Sequence, residues 1–286
     1  MISILALLAC QGAATDTGGA DTGTPVEDGP TTEHWALTTL AFVRLAEDGT
    51  SDGFDLDQDV TDAGDSDGCG IEDMTSAAGV EGIDNAFARL LPVLETTEFV
   101  GVEQIFQTLI ETGELLLVAE LADVDDLLSD DSVDLAMRRA SGQPMLDTTG
   151  AVLADQTLAL DSAFGAPLIP DLPLVDGSVE GRPFEVVLPV SFLDASFDLT
   201  VYGGAVRYDL AEDGSLSGVF AGGLEIAWLI QLTKETGISD EVQVLLESVL
   251  GGAADLAPGE DGACTQISVT LGFTAVPVYV FAEEGG

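Results

Sequence analysis

The spacing of apolar positions changes period twice along this chain. Trp35–Ala46 (WALTTLAFVRLA) is rich in aromatic and branched residues and predicts a strand. The next stripe has helical spacing. Ile83, Phe87, Leu90, Leu91 and Leu94 predict a helix over Ile83–Leu94, with Asp84 or Asn85 capping its start and Pro92 breaking or kinking it. Phe99, Val102, Phe106, Leu109 and Ile110 predict a second helix over Phe99–Thr112, and Gly113 is a good stop. Beyond Gly113 the period falls to two.

Glu114–Ala122 and Ser132–Arg139 read as strands, with Ala151–Leu160 a weaker candidate. Pro167, Pro170 and Pro173 mark a loop over Gly165–Gly181. Phe184–Leu188, Ser196–Tyr202 and Ala205–Leu210 predict strands, and Ala211–Gly214 a turn into Leu216–Ala221. Leu224–Leu232 fits a helix or a strand. Ser239–Leu250 predicts a helix with Ser239 as N-cap, Asp240 and Glu241 in the first turn and Gly251 at the end. The strongest strand pattern is Cys264–Phe281. Ile267, Val269, Leu271 and Phe273 alternate on odd positions, then Val276, Val278 and Val280 on even ones, so a bulge or bend is expected near Ala275.

Many short alternating runs with few helices predict an α+β domain. Its core is expected to be antiparallel, β-rich and sandwich-like, covered by two or three helices. The D/T/G-rich segment before it cannot pack a core and predicts a disordered acidic tether over residues 10–33. A single domain over residues 34–286, containing an acidic loop at 47–73, is then expected.

Charge alters this picture more than composition does. Fifty-two acids face seven bases, a formal charge of −45. The chain has one Lys (Lys234), one Asn (Asn85) and one His (His34). Codon bias in a GC-rich genome would favour Arg, so it does not explain the shortage of bases. Such a surface repels itself unless salt or bound cations screen it. Salt adaptation and dedicated cation sites are both compatible with it. Nucleic acid and anionic lipid are poor partners.

Residues 1–9 followed by Cys10 form a short apolar run closed by Ala9, and Gln11–Pro25 follows as a polar tether. The arrangement resembles the lipobox of bacterial lipoproteins. It implies a signal peptide over residues 1–9, acylation of Cys10 and a lipid-anchored protein at the outer membrane or cell surface. Gln11 is not the Asp that in this family favours the inner membrane. With Cys10 acylated, Cys69 and Cys264 remain as a pair in an oxidising compartment, and a disulfide between them is expected.

The stretch from Gly53 to Gly70 places Asp55, Asp57, Asp59, Asp62, Asp65 and Asp67 at spacings of two and three, with no Lys or Arg between Arg44 and Arg89. Ca²⁺ takes six to eight hard oxygen ligands in irregular geometry, so these six acids are the candidate metal ligands. The spacing resembles calcium-loop modules, but Val60 and Ser66 stand where an EF-hand needs Gly and Glu, so a true EF-hand is not expected. Asn85 caps a helix or joins Asp84 in a metal site. Asp67–Asp73, Gly79–Phe87 and the ending Cys264–Pro277 together resemble a group of lipoproteins of myxobacteria-like bacteria with Asp/Thr/Gly tethers and β-rich bodies; no activity comes with the resemblance.

Enzyme signatures are mostly missing. A single histidine precludes most His-based triads and His-rich metal sites. No Walker A or HExxH motif occurs. His34 reads as an exposed linker residue and Lys234 as a helix-end or surface charge. The expectation is a binding or structural protein with a Ca²⁺-stabilised acidic loop, a lipid anchor and divalent cations as partners. Two alternatives are a carboxylate-dependent glycan hydrolase and a carrier for an apolar ligand.

Overall fold

The structure is a computed structural model that describes residues 29–62, 64, 68–96, 101–192, 195–235, 240–260 and 262–282. Eleven strands occur among them: β1 Thr31–Phe42, β2 Leu117–Val124, β3 Ser129–Ser141, β4 Thr157–Leu160, β5 Leu168–Val175, β6 Ser178–Phe192, β7 Ala195–Leu210, β8 Leu216–Glu225, β9 Leu256–Pro258, β10 Cys264–Pro277 and β11 Tyr279–Ala282. Four helices accompany them: α1 Ala86–Leu94, α2 Val102–Thr112, α3 Ile226–Glu235 and α4 Asp240–Gly251.

The strands follow the order β3-β2-β1-β10-β8-β7-β6-β5, and β5 pairs back onto β3. The result is a closed eight-stranded antiparallel barrel, not the sandwich expected from the alternation. Both architectures need one apolar face per strand, so the pattern alone does not separate them. The closing strand was the unreadable one. Pro170 and Pro173 made Leu168–Val175 look like loop. In the fold both prolines fall where the β3–β5 register shifts, between Ile169 and Leu172 and between Leu172 and Leu174. A residue without an N–H is tolerated at such irregularities. β4 extends the wall from β3, and β11 lies parallel to β4. β9 pairs with the start of β10.

The lumen is filled by side chains, as an eight-stranded barrel permits. Leu121, Leu135, Leu174, Val179, Tyr208 and Leu216, from six strands, are 0–2% exposed and belong to one apolar cluster. Tyr208 meets the Phe273 ring edge-on at 5.8 Å and donates its hydroxyl to the Ala136 carbonyl. Gly218 lies in register with both Tyr208 and Phe273. A Cβ there would come within 2.5 Å of the Phe273 ring, so only glycine admits the aromatic pair.

The helices cover one end. Phe87, Leu91 and Leu94 of α1 pack with Ile226 of α3, with Leu246 and Leu250 of α4, and with Ile267 and Val269 of β10. Phe42, at the end of β1, touches Phe87 and Phe106 and so joins α1 to α2. Pro92 sits inside α1 without ending it, and Gly113 ends α2 in the left-handed conformation. Leu224–Leu232 divides between the two readings, with β8 ending at Glu225 and α3 starting at Ile226. Ser196–Leu210 is one strand with a register shift between Tyr202 and Ala205 rather than two strands. The irregularity expected near Ala275 falls on the partner strand, between Leu37 and Thr39, and β10 itself stays in register with β8 through Ala275.

Cys69 and Cys264 form the expected disulfide, with Cα atoms 5.8 Å apart and a sequence separation of 195. It fastens the segment after β1 to the first residue of β10. β1 begins at Thr31, inside the expected tether, and Cys10 lies outside the described residues.

Candidate metal centre

Between β1 and α1 the chain makes a long excursion over residues 43–85, mounted on the outer face of the barrel. Phe54 anchors it, packing against Ala205, Val219 and Ala221 of β7 and β8. Two short antiparallel bridges fold the excursion on itself, Phe54 with Asp84 and Met74 with Ile83. The first of these sets the site. It holds Asp84 beside the bent run that follows Phe54 and carries Asp55 and Asp57.

One ligand oxygen from each of Asp55, Asp57 and Asp84 falls within a mutual 4.8 Å. Asp84 is only 2% exposed and accepts the Leu56 amide at 2.6 Å. Asp55 Oδ1 is buried with no hydrogen-bond partner. Gly82 makes the close approach feasible: its φ is +79°, and a Cβ there would meet the Asp59 carbonyl and Val60 Cγ2 at 3.2 Å. Asp73 borders the group and accepts the Thr61 amide at 2.7 Å.

Asp84 is buried, Asp55 half-buried and Asp57 exposed. Desolvation pushes Asp84 up to about 9, its amide bond from Leu56 opposes this, and the charges of Asp57, Asp255 and Asp73 add to it. Asp57 and Asp73 also lie above the usual carboxylate range, chiefly through desolvation. Arg182 approaches only the main chain here, donating to the Asp55 carbonyl at 2.9 Å. Convergent carboxylates and a partnerless buried oxygen form a donor set for a hard divalent cation.

Of the six expected ligands, Asp55 and Asp57 enter this group. Asp59 and Asp62 are exposed and stay outside it; Asp59 Oδ1 accepts the Val60 amide instead. Asp65 and Asp67 lie outside the described residues. Asp84 completes the group from 27 positions beyond Asp57, where only its pairing with Phe54 brings it in. Asn85 occupies the N-cap position of α1 and stays outside the carboxylate group. It makes no side-chain cap. Its amide nitrogen donates to Ser51 Oγ and the Val43 carbonyl, and its oxygen accepts the Thr270 amide, so it ties the excursion to β10. The first amide of α1, Ala86 N, is capped instead by Ser268 Oγ of β10 at 2.7 Å. Ser268 in turn bonds buried Asp255 through both its amide and its hydroxyl.

A second charged cluster lies on the β1–β3 wall. His34 is not a linker residue: it sits in β1, its side chain 12% exposed, with Nε2 3.0 Å from Glu120 Oε2. Arg138 donates Nε and Nη2 to the two oxygens of Glu120, at 3.1 and 2.8 Å. Desolvation tends to raise the pKa of Glu120, but the bonds from His34 and Arg138 and the Arg138 charge win and hold it at about 2. Lys234, at the end of α3, pairs with Glu247 of α4 at 2.9 Å. No protein-family model, curated protein or solved structure matches this chain.

Proposed function

We propose that this chain is a lipid-anchored binding or structural protein of the bacterial cell surface, and that Ca²⁺ holds its acidic excursion in place. The observation that carries the cation reading is the convergence of Asp55, Asp57 and Asp84 around a buried, partnerless carboxylate oxygen. Three carboxylates supply three to six oxygens, depending on whether each binds through one or both, and water completes the shell. A cation bound there neutralises acids that otherwise sit protonated or repel one another, and it clasps the run after Phe54 to the start of α1.

Neither alternative has comparable support. A carrier needs an apolar chamber, whereas the lumen is occupied by Tyr208, Phe273 and their neighbours. A two-carboxylate hydrolase needs acids facing each other across a cleft, whereas these converge on a point. Cys10 as the acylated anchor rests on the residues around it, and among the described residues no helix is long and apolar enough to cross a membrane.

Thermal melts in Ca²⁺ and in chelator, at matched ionic strength, test the cation. A site bound only in the folded state adds about 2.7 kcal/mol at a hundredfold excess over Kd. Equal melting temperatures, or an equal gain from Na⁺, would leave only general screening. Mass spectrometry of the N-terminal peptide from native membranes tests the anchor, and an intact Met1 peptide with a free Cys10 thiol would overturn it.

A further inference from the structure

The excursion and the outer wall of β6 and β7 enclose an open groove of about 720 Å³, within the range that holds an oligosaccharide or a drug-sized molecule. Its lining is unlike the rest of the chain. Three of the six arginines, Arg44, Arg182 and Arg207, reach it, in a protein with fifty-two acids. Two of them belong to an alternating row. Arg207 bonds Asp52 at 2.8 Å, and Glu180, the cross-strand partner of Arg207, pairs with Arg182 at 3.3 Å. Arg182 then reaches the Asp55 carbonyl. The floor beside the row is apolar, formed by Phe54, Ile83 and Ala77.

The chemistry of this row selects its ligand. Asp52, Glu180 and Arg182 are 41–48% exposed, so their ion pairs are weak and exchangeable. Carboxylates accept and guanidinium groups donate, each through two parallel positions. Adjacent sugar hydroxyls offer donor and acceptor at that same spacing. An anion finds the arginines already neutralised and the whole chain repulsive at −45. A neutral polyol meets neither obstacle.

We propose that this groove binds a neutral, hydroxyl-rich oligosaccharide, held by Asp52, Glu180, Arg182 and Arg207. One wall of the groove is the excursion, and Asp55 gives its carboxylate to the cation group and its carbonyl to Arg182. The recognition therefore stands on the groove itself, and only its calcium dependence rests on the cation reading above.

Calorimetric and NMR titrations of the full chain in saturating Ca²⁺ decide it, with cellotetraose, maltotetraose and mannotetraose as probes and tetragalacturonate as the charged control. The expected result is millimolar or tighter binding of a neutral tetrasaccharide, with amide shifts confined to Asp52–Asp55, Ala77–Glu81, Glu180–Arg182 and Arg207. Glu180→Ala and Asp52→Ala each weaken it by at least about tenfold, and the gentler Glu180→Gln and Asp52→Asn do so without moving the melting temperature. The proposal is overturned if no neutral probe binds, if only tetragalacturonate binds, or if folded variants keep full affinity. Repetition in chelator separates the two readings. Sugar binding with no thermal response to Ca²⁺ supports the groove and refutes the cation, whereas a thermal response without sugar binding does the reverse.

Discussion

Glu120 and Asp84 are both buried carboxylates on the outer wall of one barrel, 7% and 2% exposed, yet they are driven in opposite directions. Glu120 is held at about 2 and Asp84 is pushed up to about 9. Desolvation acts on both in the same sense, so burial is not what distinguishes them. Glu120 has a guanidinium fork and an imidazole within 3.1 Å. Asp84 has one amide and a ring of other acids. The first cluster is complete within the chain. The second has no base beside it, and on the proposed reading a cation completes it. In a chain with seven bases, the few arginines mark where the fold neutralises its own charge; on the proposed reading, their absence marks where it takes up a cation.

The largest test of this contrast is the disulfide. Cys69–Cys264 fastens the acidic excursion to β10, whereas the Glu120 cluster needs no such tether. Replacing both cysteines by Ala should cost about 5 kcal/mol on chain-entropy grounds for so long a loop, read from denaturant unfolding. Hydrogen exchange should quicken over residues 47–85 before it does in β1–β3. Uniform loosening of both regions would erase the distinction.

The pH dependence should differ in sign. Asp84 ionises more readily unfolded than folded, so in chelator its contribution is fully present below about pH 4 and is lost as pH rises towards 9, at up to about 1.4 kcal/mol per pH unit. Glu120 behaves oppositely. Its contribution is present above about pH 4.5 and fades as pH falls towards 2, worth about 2 kcal/mol after allowance for solvent screening. Chelated protein should therefore be most stable near pH 4–5, and Ca²⁺ should move that maximum upward. A chelated stability curve flat from pH 5 to 8 would contradict the assignment of Asp84.

Neutralising one group on each side gives the smallest and cleanest comparison. Arg138→Met strands Glu120 and should cost about 2 kcal/mol at pH 7, less than a fully buried pair would because Arg138 is 39% exposed. Asp84→Asn should leave chelated protein as stable or more so, while abolishing its response to Ca²⁺. A loss of several kcal/mol in chelator would mean that Asp84 serves the excursion as an anion without any ion bound.

Local pattern located the helix stop at Gly113, the β10 alternation, the hairpin turn at Ala211–Gly214 and the cysteine pair, because each depends on neighbours in sequence or on a count. It missed β5, since prolines at register shifts look like loop until β3 lies alongside. It grouped Asp59 and Asp62 with Asp55 and Asp57, because spacing does not say which acids approach one another; the fold brings Asp55 and Asp57 beside Asp84 and leaves the other two apart. His34 was misplaced for a similar reason: a histidine beside a polar tether carries no mark of the Glu120 waiting 86 residues later.

The sequence by itself determined that this is a β-rich chain with a few amphipathic helices, starved of bases, with one long acidic segment. Alternation, helical stripes and net charge are local or additive quantities, legible without a fold. The tertiary structure alone decided that the strands close into a barrel, that Asp84 rather than Asp59 joins Asp55, and that scarce arginines gather along one groove. Each of those depends on a pairing between distant segments, β3 with β5, Phe54 with Asp84, Glu180 with Arg207. Such pairings are set by the burial of whole faces, which no single stretch of sequence contains.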